Sequence, residues 1–359
     1  MKYTYQQLYD FANSTFLKIG CSQEHAATAT QVLLSADRRG VDSHGIARLV
    51  GYVRLWEAGR VNTSPDIKII YESPSTATID GDRGLGLVVA PFAMQVAIEK
   101  AKTAGTGWVA VKNSNHFGIA GIHAMMALKE NMIGYAMTNA SALVAPTFSK
   151  ERMLGTNPIA VAIPAKHQPP FVADMATTTV ANGKLEILQR LNEEAPYGWV
   201  QDANGLPSQD ASILKNKGAL LPLGGDPAHG SYKGYALGSI VDILTGVLSG
   251  ASYGPWAPPF PAYVPMPQNM PGDGLGHFFG AMRTDAFRPT EAFLLEMDHW
   301  IERFRNAQPS NEAQKVLIPG DPEREAELDR SKNGIPVHKS VIKDLSELAE
   351  KLKITPLLP

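Results

Sequence analysis

The stretch TATIDGDRGLGLVV, residues 76–89, offers the glycine spacing of a dinucleotide-binding turn and then fails it. TATID is a short, partly β-branched run of strand type, and Gly84-x-Gly86 follows it. A Rossmann fingerprint needs a third glycine or alanine three residues on, where the helix packs close to its strand. Val89 stands there. The fingerprint also needs an acidic residue at the end of the next strand, and WVAVKNSN (108–115) ends in none. The stretch therefore reads as strand, turn and helix without the Rossmann cradle. A second decoy, GGDPAHGSYKG (224–234), spaces Gly225 and Gly230 like a P-loop. Ser231 stands where that loop requires lysine, which excludes a P-loop nucleoside triphosphatase.

Working outward, short apolar runs alternate with helical patterns. DIKIIYE (66–72), WVAVK (108–112), IGYAMTN (133–139), PIAVAIP (158–164), FVADM (171–175) and HFFGAM (277–282) read as strands beside TATID. Helices are expected at 87–105, 118–131, 180–191 and 234–250, and the alternation predicts an α/β domain. Residues 251–276 are rich in Pro and Gly and read as one long loop. Both chain ends are helical. Leu8, Phe11, Ala12 and Phe16 follow helical spacing up to Gly20, and Ser22 caps a second helix running to Gly40. A third is expected from Ser43 to Gly59, and three more fall at 291–307, 321–329 and 341–353. The C-terminal helices are expected to pack back on the N-terminal ones. That gives a helical domain of 1–65 with 288–359, and an α/β domain of 66–287.

Composition narrows the function classes. The 359 residues carry 33 Lys and Arg against 35 Asp and Glu, so no basic excess is available to track nucleic-acid phosphates. The single cysteine, Cys21, rules out an internal disulfide and a multi-thiolate metal cluster. MKYTYQQLYD is too polar for a signal peptide, and no run approaches the roughly 18 apolar residues of a membrane span. A cytoplasmic enzyme without metal, membrane or nucleic-acid partner is the expectation.

The densest chemistry lies in ADRRGVDSHGIARL, residues 36–49. As a helix opened by Ser43, the segment would place Ile46, Leu49, Val50 and Val53 on an apolar face. His44, Arg48 and Tyr52, each four apart, would fall on the opposite side. Taken alone, Ser43 is an ordinary N-cap and the stripe a solvated face. Together, a histidine that can exchange a proton near neutral pH and a bidentate guanidinium one turn on suit a small anionic substrate. Arg38 and Arg39 read as dipole partners ending the preceding helix. NSNHFGIAG (113–121) follows a strand and opens a helix, a setting for phosphate groups. His116 and His123, without carboxylates or thiolates nearby, make a poor zinc site. Asp174 ends a strand, where ligand contacts in α/β folds concentrate, although a turn role fits it equally well.

Taken together, VDSHGIARL, NSNHFGIAG, LGTNPIA, DMATTTVANGK and YKGYAL resemble the malate/L-lactate dehydrogenase family, in family order and over about residues 5–330. That family also holds sulfolactate and ureidoglycolate dehydrogenases, diketogulonate reductases and cyclic-imine reductases. The resemblance implies a sulfolactate dehydrogenase-like fold that binds a nicotinamide cofactor without a Rossmann domain, NAD first and NADP as the alternative, in a homodimer. It implies a catalytic pair in Ser43 and His44, with His44 as proton donor, and Lys184 as a charge relay. Arg48 would hold the substrate carboxylate, with Tyr52, His116, Thr156, Asn182 and Gly183 as further substrate contacts. The cofactor segments would be His116, Phe117, Gly118, Ile119 and Ala120, then Asp174, Met175 and Ala176, then Tyr232 and Lys233, and finally Pro319 and Gly320 of VLIPGDPE. Imine-reducing members carry an acid where Lys184 stands, so lysine points to a 2-hydroxy acid, malate first. A non-catalytic nucleotide-binding protein is the rival of another class.

Overall fold

The computed structural model describes residues 1–357. Its centre is a seven-stranded sheet of β1 (Lys68–Glu72), β2 (Thr76–Asp80), β3 (Thr106–Ser114), β4 (Met132–Thr138), β5 (Ile159–Ile163), β6 (Phe171–Met175) and β7 (Leu275–Arg283), in the order β1-β2-β3-β7-β4-β5-β6. Only β2 and β3 run parallel, and every other neighbouring pair is antiparallel. β7 arrives late in the chain and takes the middle of the sheet. A Rossmann sheet is built from parallel βαβ units, so the failed fingerprint and the sheet agree.

At the N-terminus, α1 (Tyr5–Lys18) opens with a capping box of Thr4 and Gln7, and α2 (Gln23–Arg38) is capped by Ser22. The third helix, α3, spans Leu49–Glu57 and so starts six residues later than the sequence pattern suggests. The crossover from β2 to β3 is α4 (Gly86–Ala104), which buries Val89, Ala93, Ala97 and Ala101. Gly86 opens this helix against the loop that follows β3. A Cβ there would lie 2.1 Å from the Asn115 carbonyl oxygen and 2.5 Å from that of His116. Asn115 Nδ2 in turn donates to the carbonyls of Arg83 and Gly84, at 2.9 and 3.0 Å. The two glycines thus allow one protein loop to dock on another, and the phosphate-turn resemblance comes from packing.

After β3, α5 covers only Ala120–Ala124 before the chain tightens into a 3-10 turn at Met125–Glu130. The helix α6 spans Asn182–Leu191, and α7 (Ser231–Asp242) passes into a π-turn at Ile243–Val247. The segment 251–274 is irregular except for a 3-10 turn at Gly254–Trp256, with β7 starting at Leu275, two residues before the expected strand.

Near the C-terminus, α8 (Thr290–Arg305) rests on the β5–β6 hairpin. Asp298 of α8 accepts from the backbone N–H groups of Lys166, His167 and Gln168. The next helix, α9 (Asp321–Asn333), presents Glu327 to Arg38 and Arg39. These two arginines are therefore ion-paired across helices as well as placed at a helix end. Finally α10 (Lys339–Leu352) contributes Leu345, Leu348 and Leu352 to the same core as Leu8, Phe16, Leu33 and Leu49. A second core lies between the sheet and α4. Among the described residues no helix is long and apolar enough to cross a membrane.

Candidate active site

Between α2 and α3 the chain makes two short 3-10 turns, Asp42–His44 and Ile46–Arg48, broken at Gly45. Ser43 sits inside the first turn and caps no helix, so the N-cap expectation is overturned. Its Oγ lies 2.9 Å from His44 Nδ1. Two features set this conformation. The Asp37 carboxylate reaches up from α2 to accept from the Ile46 N–H at 2.6 Å, a bond that a continuous helix would reserve for its own backbone. Arg48 Nε donates to the Ser43 carbonyl at 2.6 Å, tying the second turn to the first. Arg330 of α9 braces the same turn from outside, bonding both the Asp37 carbonyl and the Asp42 carboxylate.

The expected stripe of His44, Arg48 and Tyr52 does not form either. Tyr52 is 0% exposed and belongs to the core with Leu49 and Val53. A side chain so placed cannot touch a ligand. Its hydroxyl instead meets His116 Nδ1 at 2.7 Å. The His116 and His44 rings stack with centroids 5.6 Å apart and planes at 21°. Thus the motifs at 43–48 and 116, over sixty residues apart, form one site around two imidazoles and a guanidinium.

Three features of this site were not legible in the sequence. Phe260, from the Pro-rich segment, closes over it, 4.8 Å from the His116 ring, 5.3 Å from Tyr52 and 5.9 Å from the Arg48 guanidinium carbon. Arg60 fixes that segment by donating to the Pro259 carbonyl. Asp37, inside the quoted ADRR, is 2% exposed and carries the turn. Its only sequence signal is a carboxylate on the apolar side of a helix.

α6 meets the site from the other side. Gly183 packs so closely that a Cβ would lie 2.7 Å from Ser43 Cβ, so the backbone must be bare there. Lys184 follows it, exposed, its ammonium bonded to no group among the described residues. Asn182 Nδ2 donates to Glu186 at 2.9 Å. A cleft of about 840 Å³ opens beside Ser43 and Arg48, lined also by Asp42, Gly183, Glu186 and Ile187.

Burial and the nearby Arg48 charge lower the His44 pKa to about 4. The His116 pKa falls well below its usual value through burial, then through His44, Arg48 and His277. Both imidazoles are neutral at pH 7.

The remaining expected residues fall into two groups. Asp174, at the end of β6, accepts from the Gly121 N–H at 2.7 Å. Pro319 lies alongside β6, its carbonyl accepting from the Val172 N–H at 3.0 Å, and Gly320 packs on Val172. The structure therefore joins the Asp174–Met175–Ala176, Pro319–Gly320 and 116–121 segments. Thr156 meets the same strand end, its carbonyl accepting from the Thr177 N–H at 2.9 Å. Tyr232 and Lys233, in the first turn of α7, are exposed, and no hydrogen bond or ion pair among the described residues links them to the other site residues. Asn113 and Asn115 hold the 80–84 loop through their side chains. His123 faces the core and bonds the Phe117 carbonyl at 2.8 Å.

Comparison with known proteins follows the same boundaries. A family described as malate/L-lactate dehydrogenase matches residues 3–346. The malate dehydrogenase of Pyrococcus abyssi is 43% identical, covering 97% of this chain and 94% of that protein. The malate/(S)-sulfolactate dehydrogenase of Methanothermus fervidus is 40% identical over 94% of each. The solved structure of malate dehydrogenase from Pyrococcus horikoshii OT3 superposes with a TM-score of 0.89 at 39% identity, covering 99% of this chain and 97% of that one.

Proposed function

The chain belongs to the malate/L-lactate dehydrogenase family, and from that premise we propose that it interconverts malate and oxaloacetate with NAD. In the reducing direction, 2-oxo acid, NADH and a proton give 2-hydroxy acid and NAD⁺. The observation that carries the reading is the convergence of Ser43, His44, Arg48 and His116 on one partly open site.

Arg48 anchors the C1 carboxylate, held in place by its bond to the Ser43 carbonyl. His44 moves the proton at its Nε2, because its Nδ1 is engaged by Ser43 Oγ. Lys184, next to the glycine that packs on Ser43, adds positive charge for the relay. Phe260 shields the imidazoles from bulk water. The cofactor, when bound, supplies or accepts the hydride at C2. The edge around Asp174 fits such a cofactor: the residue is exposed, its carboxylate stands at a strand end, and the backbones of Gly121 and Gly320 lie close by. A carboxylate in that setting accepts from ribose hydroxyls and repels a 2′-phosphate, which favours NAD over NADP. The relative named for both malate and sulfolactate supports sulfolactate as the second substrate to try.

A second copy of the chain completes the proposal. Apart from Val241, the buried side of α7 and its π-turn is small or polar, with Gly234, Gly238, Asp242, Thr245 and the following Ser249, whereas Ile240, Ile243, Val247 and Leu248 are 50–58% exposed. Such an inverted face suits a homodimer, and a monomer mass by sedimentation would sink it.

The decisive assay follows oxaloacetate reduction by NADH with purified His44→Ala. Loss of a positioned proton donor should lower turnover by about 10²–10⁴-fold. Turnover near wild type would remove His44 from its role.

A further inference from the structure

We infer that Tyr52 is a positioning residue that fixes the tautomer of His116, so that His116 offers a hydrogen-bond donor at Nε2 and does not act as a base. The inference rests on the reading above, in which His116 shares the substrate site with His44.

The argument starts from the Tyr52 hydroxyl. The side chain is 0% exposed, and among the described residues its one hydrogen-bonding side-chain partner is His116 Nδ1, at 2.7 Å. Were Nδ1 protonated, it would donate to the phenol oxygen, and the buried phenol proton would have no acceptor. Leaving such a donor unmet is costly, whereas donating to a bare Nδ1 satisfies it. A second donor points the same way: the Gly118 backbone N–H lies 3.3 Å from the same nitrogen. A backbone N–H can only donate, and this one is shared with the Tyr52 oxygen, so neither contact gives the phenol proton an acceptor other than Nδ1. Burial pushes the Tyr52 pKa up, so the phenol keeps its proton at any working pH.

With Nδ1 an acceptor, the neutral ring carries its hydrogen on Nε2. Among the described residues that atom bonds to no protein group and, unlike His123 Nδ1, it is not sealed from solvent. Two stacked histidines therefore divide the work. His44 has one nitrogen on a hydroxyl that can donate or accept, so it can shuttle a proton. His116 cannot take a proton at Nε2, where one already sits. It is left to orient an oxygen of the substrate.

Two-bond ¹H–¹⁵N NMR of the histidine rings in substrate-free protein at pH 7 tests this, with the His116 signals assigned by their loss in His116→Gln. The expected result is a protonated Nε2 and a pyridine-type Nδ1, and a protonated Nδ1 overturns the inference. Tyr52→Phe keeps the packing and removes the phenol proton. It should populate the other tautomer and raise the KM for the 2-oxo acid about two- to tenfold, the span of one net hydrogen bond, with less change in kcat. An unchanged ring spectrum in Tyr52→Phe would show that Gly118 alone sets the tautomer and would also overturn it. The spectra need no substrate. The expected tautomer in a protein without turnover on any 2-oxo acid would sink the functional reading and leave this one intact.

Discussion

Two pairs of histidines in this protein have depressed pKa values, and only one pair is available for chemistry. His123 and His277 are both 0% exposed and pack on Phe117 with centroids 4.7 and 4.8 Å away. Burial lowers His123 to about 4 and His277, next to His123, to about 3. His277 has both nitrogens committed, to Thr138 Oγ1 at 2.7 Å and Ser114 Oγ at 2.8 Å. His44 and His116 have shifts of the same sign, yet each spends one nitrogen on the protein and leaves the other open. A perturbed pKa is thus a poor marker of function here. An uncommitted nitrogen open to solvent is the better one, since the unpartnered Nδ1 of His123 is sealed in the core.

Removing His277 should break the comparison most strongly. His277→Ala leaves a ring-sized cavity at the sheet centre and takes one partner each from Ser114 and Thr138, whose hydroxyls keep only backbone carbonyls, at a cost of about 3–5 kcal/mol. A drop in Tm of about 4–7 °C is expected, with kcat per folded molecule unchanged at low temperature. His44→Ala should show the reverse, losing turnover at constant Tm. The gap between His277→Ala and wild type should narrow with acid. The His277 pKa is depressed, so its contribution is present above the unfolded value, about 6.5, and is lost as the pH falls toward 3. A gap that stays constant with pH would mean that His277 is not held neutral by the fold.

The next effect separates the site pair by direction of reaction. Reduction needs His44 protonated, and in the free enzyme its pKa is lowered to about 4. Across pH 6–8, kcat/KM for oxaloacetate should therefore fall about tenfold per unit, while kcat/KM for malate stays flat, since the base is already populated. A substrate carboxylate seated on Arg48 offsets one of the two causes of that shift, so kcat for reduction should break at a higher pH than kcat/KM. Superimposable profiles in the two directions would rule His44 out as the titrating group.

What the sequence made legible follows from the range of its forces. Helical and strand periods place α1, α2, α4 and all seven strands of the main sheet to within a few residues, because those elements bury contiguous apolar faces. The same reasoning failed at Ser43–Arg48. There, one carboxylate from α2 and one guanidinium from α9 override local helix propensity, and the guanidinium lies 288 residues away from the Asp42 it bonds. Tyr52 lies three residues after Leu49 within α3 and joins it in the core, while His44 and Arg48 sit in 3-10 turns outside that helix. Phe260 lay hidden in a segment without period. The residue types at 43, 44 and 48 were readable. Their meeting with His116 and Gly183 depends on where β3 and α6 end, which only the assembled sheet fixes.

The smallest expected effect tests what holds that turn. Asp37 accepts from Ile46 N–H while almost fully buried, and its carboxylate lies against Gly45. Burial pushes its pKa up to about 8, reinforced by Asp42 and opposed by the Ile46 N–H and Arg330. At pH 7 the group is thus mostly a neutral acid, a shape and charge that asparagine reproduces with its Oδ1 on Ile46 N–H. Asp37→Asn should therefore keep kcat/KM within about threefold at pH 7, less than one net hydrogen bond. The sign of the stability change is more telling. A carboxyl whose folded pKa is raised binds a proton in the native state that the unfolded chain has released, so native stability falls as the pH rises from about 4 to 8. Asparagine has no such dependence, and the Tm of Asp37→Asn should gain on wild type over that interval. Equal slopes of Tm against pH would mean that Asp37 is ionised in the folded protein. The Ser43–His44 turn would then be held by a charge, in contrast to the neutral imidazoles it carries.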